Sequence, residues 1–260
     1  MKIAICTDTF YPQMNGVTRS IVESAKVFIE DGNEVMIYAP SGSVLPKELK
    51  SLVELRSFSG LPLPTYPEYE MCPPALLRVV DEIKDYNPDI IHSHTPFFIG
   101  VGGIAASKIL KIPVVGTYHT HLSEFSEYFI VPVIRSLPIM KNMTDFYVAR
   151  AYNRFNLIIT PSNVIKQKLR DLGVWRPIRV IPNGIDTSKF ESDKCRKNKS
   201  KGRDENTLRI VHFGRISYEK NVEEVVRCFK KVSEVLPDVE MFVVGSGPYL
   251  NSLKRIVSEM

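Results

Sequence analysis

An α/β fold built on parallel sheets is what this sequence predicts, and three observations carry the prediction. Short strand-like runs alternate with segments whose apolar residues recur at helical spacing, the signature of βα units. The strand-like runs are near-continuously apolar, as in sheets covered on both faces. With 260 residues, 44% of them hydrophobic, the chain has material for one large domain or two smaller ones.

Taken in order, Ile3–Thr7 reads as a buried strand, followed by a loop and a helix from Thr18 to about Asp31. That helix places Ile21, Ala25 and Phe28 on one face and stops at Gly32. Glu34–Ala39 is the next strand, closed by Pro40, and Val53–Phe58 reads as a third. The proline-rich stretch from Leu61 to Pro74 is expected to be a long irregular loop, a feature that in a compact domain points to function. Leu76, Val79, Val80 and Ile83 mark a helical face. Two central strands follow, at Ile90–Ile91 and Pro113–Tyr118, with a small-residue helix from Gly100 to Leu110 between them. Asn156–Thr160 and Ile178–Ile181 supply two more strands around a helix starting near Ser162. The polar stretch Glu191–Asn206 reads as a linker, after which a new βαβα pattern begins.

Composition narrows the function classes. No run of eighteen apolar residues occurs and the N-terminus is a charged strand, so the expected protein is soluble or peripheral and cytoplasmic. Cys6, Cys72, Cys195 and Cys228 are scattered without a C-x-x-C pairing, which fits a reducing compartment better than a disulfide framework. Charge is uneven: residues 1–124 balance to −4, whereas 125–180 carry 9 Lys/Arg against three acidic residues. Arg135, Lys141, Arg150 and Arg154 share that block with Phe125, Tyr128, Phe129, Phe146 and Tyr147, which predicts either an anionic membrane surface as partner or a core helix with a solvated basic face. Nucleic-acid motifs are not visible.

The residues that suggest chemistry lie at strand ends. LRIVHFGRISYEKN, Leu208 to Asn221, ends an apolar strand at Gly214 and places Arg215 and Lys220 on the loop beyond it. A glycine there admits close backbone approach, and two cations offer charge-assisted bonds to phosphate, so the loop reads as a diphosphate clamp. Gly245-Ser246-Gly247, in MFVVGSGP, reads as a second glycine-bounded backbone loop. The first βα loop contains Asn15-Gly16, expected at positive φ and leaving amides and a helix start open to an anion. His119 follows the strand IPVVGTY and so falls at the carboxyl edge, where open α/β sheets bind ligands. His92-x-His94 and His119-x-His121 invite a metal reading, but no third ligand of suitable spacing stands out and no metal is assigned.

In order and spacing, MKIAICTDTFYPQMNGV, PDIIHSHTP, PVVGTYHTH, RVIPNGID, LRIVHFGRISYEKN and MFVVGSGP resemble the retaining, nucleotide-sugar-dependent glycosyltransferases of family 4, and most of all those that glycosylate diacylglycerol at membranes. The resemblance covers nearly all of the chain. It implies the two-domain GT-B fold: a Rossmann-like acceptor domain at 1–190, a linker at 191–206, and the beginning of a second Rossmann-like, nucleotide-sugar-binding domain at 207–260. It implies that Arg215 and Lys220 stabilise the departing nucleoside diphosphate, that His119 lies beside the donor sugar, and that Asn15, Gly16, Gly214, Gly245 and Gly247 line the donor. It also implies a hexose moved from a nucleotide diphosphate sugar, UDP-glucose by expectation, to a hydroxyl such as that of diacylglycerol, without a bound divalent metal. His94 and Thr95 are expected on the acceptor side. Where many relatives have two glycines in the first loop, this chain has Asn15 before Gly16. The family's glutamate pair, eight positions apart, would fall after Met260, so the 260-residue chain is expected to be inactive alone. Two helices cannot cover both faces of its two apolar strands, Leu208–Phe213 and Met241–Val244, so residues 207–260 are expected to be mobile, partly unfolded or packed on another chain. Three readings stand beside this one: a soluble-sugar acceptor, a non-catalytic lipid- or carbohydrate-binding fragment, and a metal hydrolase built on the paired histidines.

Overall fold

The computed structural model describes residues 1–63, 66–73, 75–119, 138–187 and 207–260. The chain divides into two compact units, Met1–Ile185 and Asp186–Met260.

The first unit is a seven-stranded, all-parallel sheet. Its strands are β1 (Lys2–Cys6), β2 (Glu34–Pro40), β3 (Glu54–Phe58), β6 (Ile90–Ser93), β7 (Val114–Thr117), β8 (Leu157–Thr160) and β9 (Ile178–Val180), in the spatial order β3-β2-β1-β6-β7-β8-β9. The helices α1 (Gly16–Glu30), α2 (Ala75–Tyr86), α3 (Phe98–Leu110), α4 (Pro138–Tyr152) and α5 (Asn163–Asp171) fall between strands. Alternation along the strands explains why they read as unbroken apolar runs. Ile3 and Ile5 of β1 join Val35 and Ile37 of β2 in a core under α1, whereas Ala4 and Cys6 join Met36 and Tyr38 in the core of the opposite face. Both faces are covered, so neither residue of each pair can be polar.

Local chemistry sets the ends of these helices. Asn15 takes an extended conformation (φ −137°) and its side-chain oxygen accepts from the Thr18 amide at 2.9 Å, so it is the N-cap of α1. The positive φ expected at Asn15-Gly16 is thus corrected: a helix beginning at Gly16 needs a capping acceptor there, not a left-handed turn. Ser162 caps α5 in the same way, accepting from the Ile165 amide. Small residues let α3 press close to its neighbours; a Cβ on Gly102 would stand 2.9 Å from Val79 Cβ of α2, and one on Gly103 2.8 Å from the Cys6 sulfur of β1.

The stretch expected to be an irregular loop contains an antiparallel hairpin of β4 (Leu61–Leu63) and β5 (Tyr66–Met71), with an irregularity between Pro62 and Leu63. A two-stranded ribbon has no interior strand to exclude proline, so Pro62 sits in an edge strand at the irregularity rather than forbidding the strand. The base of the hairpin is tight: a Cβ on Gly60 would stand 2.6 Å from the Cys72 sulfur.

The second unit pairs β10 (Leu208–Phe213) with β11 (Val239–Val244) in parallel, Leu208 opposite Val239 through Phe213 opposite Val244. Helices α6 (Val222–Val235) and α7 (Leu250–Ser258) complete it, with Ile216, Val222, Val226 and Leu253 as its buried core. Leu208, Val211, Phe213 and Val244 are exposed in this unit, so its two helices leave part of the apolar strand pair uncovered. The predicted linker Glu191–Asn206 lies outside the described residues.

Candidate functional site

The strand order of the first unit reverses between β1 and β6, and in open α/β sheets the carboxyl ends at such a switch point form the ligand crevice. Three segments converge there: the loop after β1, the turn from β6 into α3, and the end of β7.

Asp8, directly after β1, organises the first two. Its carboxylate accepts from the Thr95 hydroxyl (2.7 Å) and from the amides of Ile99 (2.8 Å), Phe97 (3.3 Å) and Gly100 (3.4 Å), the first turn of α3. It therefore serves as the N-terminal cap of a helix some ninety residues further along the chain. Burial raises its pKa above the usual carboxylate range, opposed by those hydrogen bonds, the Thr95 hydroxyl foremost. Sequence reading did not single out Asp8, because no local spacing marks a cap supplied from another strand.

The histidines do not pair along the strand as the H-x-H spacing suggested. They pair across it. His92 Nε2 lies 2.7 Å from Thr117 Oγ1 of the neighbouring strand, and His94 Nδ1 lies 2.7 Å from His119 Nε2. The His92 and His94 ring centres are 4.1 Å apart, those of His94 and His119 5.0 Å, with the latter rings stacked. His94 Nε2 is buried without a hydrogen-bond partner. Burial drives all three pKa values down, to about 3 for His92, to about 4 for His119, and well below the ordinary value for His94. All three are neutral at pH 7, so one ring of the His94–His119 pair donates and the other accepts. Among the described residues no set of three or more His, Cys, Asp or Glu is grouped to hold a metal ion, and His121 lies outside them.

This cluster gives the first unit a pH signature. Below about pH 6.5 the unfolded chain binds protons that the buried imidazoles refuse, so stability falls with pH down towards 4, by up to about 1.4 kcal/mol per pH unit for each histidine. Asp8, its pKa raised by burial, acts in the opposite sense. The melting temperature is expected to drop between pH 6.5 and 4.5, and less steeply in His92→Asn. Equal slopes in the two proteins would contradict buried neutral imidazoles.

In the second unit, Gly214 and Gly245 close β10 and β11, and their loops run side by side. The Gly214 amide donates to Val244 O (3.0 Å) and the Ile216 amide to Ser246 O (2.9 Å). A Cβ on Gly245 would stand 1.8 Å from Gly214 O, and one on Gly247 2.2 Å from Ile216 O. Close backbone approach thus accounts for glycine at both positions, whatever they bind. Arg215 lies between these contacts, and Lys220 is exposed at the end of a single 3₁₀ turn, Tyr218–Lys220, before α6. Glu223 on α6 accepts from the Tyr249 hydroxyl and from Arg227, which hold its carboxyl below the ordinary range and fix the start of α7 against α6.

Of the basic aromatic block, residues 120–137 lie outside the described residues, Phe125, Tyr128, Phe129 and Arg135 among them. In the described part, Phe146 (69% exposed) and Trp175 (67% exposed) line a groove of ≈ 430 Å³ with Lys108, Arg150 and Arg154. Tyr147 instead ties α4 to the switch-point turn, its hydroxyl donating to Pro96 O. Among the described residues no helix is long and apolar enough to cross a membrane.

A parallel sheet with a ligand edge at its switch point, followed by a second parallel βα unit with a glycine-lined edge, is the GT-B-like α/β fold of two Rossmann-like sheet domains. The chain belongs to Glycosyltransferase Family 4, which it matches over residues 14–189, and it matches Glycosyl transferases group 1 over residues 193–260. It is 30% identical to an alpha-monoglucosyldiacylglycerol synthase of Streptococcus pneumoniae, over 98% of this chain and 58% of that protein. It is 27% identical to a GDP-mannose-dependent alpha-mannosyltransferase of Corynebacterium glutamicum, over 100% of this chain and 60% of that protein. The chain thus spans about three fifths of the length of these relatives. Sucrose-phosphate synthase from Thermosynechococcus elongatus has a similar fold, with a TM-score of 0.62 at 13% identity over 99% of this chain and 66% of that one.

Proposed function

We propose that this protein is a retaining hexosyltransferase that moves glucose from UDP-glucose to the hydroxyl of a membrane lipid such as diacylglycerol. The observation that supports the reading most is His119, neutral and held by His94 at the carboxyl edge beside the switch point. A neutral imidazole hydrogen-bonds a sugar hydroxyl without placing a second positive charge beside an anomeric carbon that becomes cationic. Arg215 and Lys220 hold the diphosphate, whose negative charge grows as the bond to the anomeric carbon breaks; Gly214, Gly245 and Gly247 let backbone come close to the nucleotide. The acceptor oxygen bonds to the anomeric carbon on the face the diphosphate leaves, and the hydroxyl proton passes to the departing phosphate oxygen, so no protein base is required. No divalent metal takes part.

A lipid acceptor and attachment at the inner face of a membrane are supported by the Phe146–Trp175 groove, where exposed aromatics stand among Lys108, Arg150 and Arg154. The S. pneumoniae relative is named for a glucosyl lipid and the C. glutamicum relative for GDP-mannose, so both donors belong in the test. A protein long enough to span the relatives' full length would be given labelled UDP-glucose or GDP-mannose with diacylglycerol in neutral or anionic vesicles, or with soluble sugars. Label in lipid from UDP-glucose, greatest on anionic vesicles and falling as salt rises, is the expected outcome. Label in soluble sugar alone would replace the acceptor assignment, and no transfer from either donor would overturn the reading.

A further inference from the structure

We propose that the first unit carries a site for an uncharged, hydroxyl-rich group, and that Glu70 makes it selective against phosphate. The site is a pocket of ≈ 460 Å³ at the carboxyl edge over β1 and β2, on the far side of the switch point from His119. That volume is ordinary for a small-molecule site. Phe10, Pro12 and Gln13 of the loop after β1 line one side, Ser41 after β2 another, and Glu70 of the hairpin the third.

Two side chains in it are already oriented by the protein. Glu70 Oε2 accepts from the Ser41 hydroxyl at 2.5 Å, and no cation pairs with Glu70 among the described residues. A carboxylate has about four acceptor positions and the Ser41 hydroxyl takes one, which leaves capacity for further O–H donors. Gln13 is set from the other end: Asn15 Nδ2 donates to Thr9 Oγ1 at 2.9 Å, and Thr9 Oγ1 donates to Gln13 Oε1 at 2.6 Å. With its carbonyl taken, the Gln13 amide presents its NH₂ as donor. An acceptor and a donor across an apolar floor of Phe10 and Pro12 suit hydroxyls, which both give and accept. The described lining contains no Lys, Arg or His, so a phosphate brought here meets a carboxylate with nothing to offset the repulsion.

This deepens the transferase reading, on which it rests in one respect: the group bound here is the acceptor's own. Free sugar and a lipid's glycosyl or glyceryl head share the chemistry, and the test separates them. Amide shifts of the 260-residue chain would be followed by NMR during titration with methyl α-glucoside, octyl α-glucoside and glucose 6-phosphate. We expect methyl α-glucoside to move the Gly42, Ser43 and Glu70 amides, and glucose 6-phosphate to bind at least tenfold more weakly. Tighter binding of octyl α-glucoside assigns the lipid source, and equal binding the free sugar. Glu70→Gln, which keeps a side-chain acceptor for Ser41, should bring the phosphate discrimination below about threefold. Equal binding of the neutral and phosphorylated sugars by the wild type, unchanged discrimination in Glu70→Gln, or no shift at these amides would overturn the site. Because the titration needs no donor, failure here with sugar transfer intact removes only the pocket, whereas glycoside binding without transfer by the longer protein removes only the transferase reading.

Discussion

Arg215→Ala and Lys220→Ala are each expected to lower sugar transfer by roughly 10²–10³-fold in a protein spanning the relatives' full length, about 3 kcal/mol or more of transition-state stabilisation. The diphosphate carries more charge on its bridging oxygen as the bond to the sugar breaks, so a cation at that oxygen favours the transition state over the ground state. Neither side chain belongs to the core of the second unit, which is Ile216, Val222, Val226 and Leu253. Melting temperatures should therefore stay close to wild type while turnover falls. The effect should appear in the rate at saturating donor more than in KM, since the charge develops after binding. Wild-type turnover in both variants would dismiss the clamp; a joint loss of turnover and of folding would relocate the role of this loop to structure.

How much of this was readable beforehand depends on how far each interaction reaches along the chain. β1, β2, α1 and α3 were legible because their burial repeats with a local period, and the structure moves their ends by one or two residues. His119 at the end of β7 followed from the same reading. What escaped was the pairing across strands. His92 with Thr117 and His94 with His119 each join residues 25 positions apart, whereas the H-x-H spacing drew attention along the strand. Asn15 is ambiguous in sequence for a related reason. Asn before Gly signals a left-handed turn, but the same side chain is among the best helix N-caps, and the helix that follows decided between them. The hairpin at 61–71 was hidden by its prolines, which argue against a strand only where both edges are paired.

The largest stability effect in the first unit is expected at Asp8. Replacing it by alanine removes the acceptor for the amides of Phe97, Ile99 and Gly100 and for the Thr95 hydroxyl, at a helix start that is buried. Losing a cap costs about 0.5–2 kcal/mol, and a buried donor left unsatisfied adds about 1–3 kcal/mol. A total near 3–4 kcal/mol would lower the melting temperature by about 10 °C for a unit of this size. Asp8→Asn keeps one carbonyl acceptor and loses the charge, so it should fall between the two, and the gap between Asn and wild type measures what the carboxylate gains from the α3 dipole. Thermal unfolding of the three proteins at pH 7 decides it: an alanine variant within about 0.5 kcal/mol of wild type would mean that α3 is capped by other means. A function follows from the same geometry. With the first-turn amides of α3 occupied by Asp8, the helix start nearest the switch point has little left to offer a phosphate.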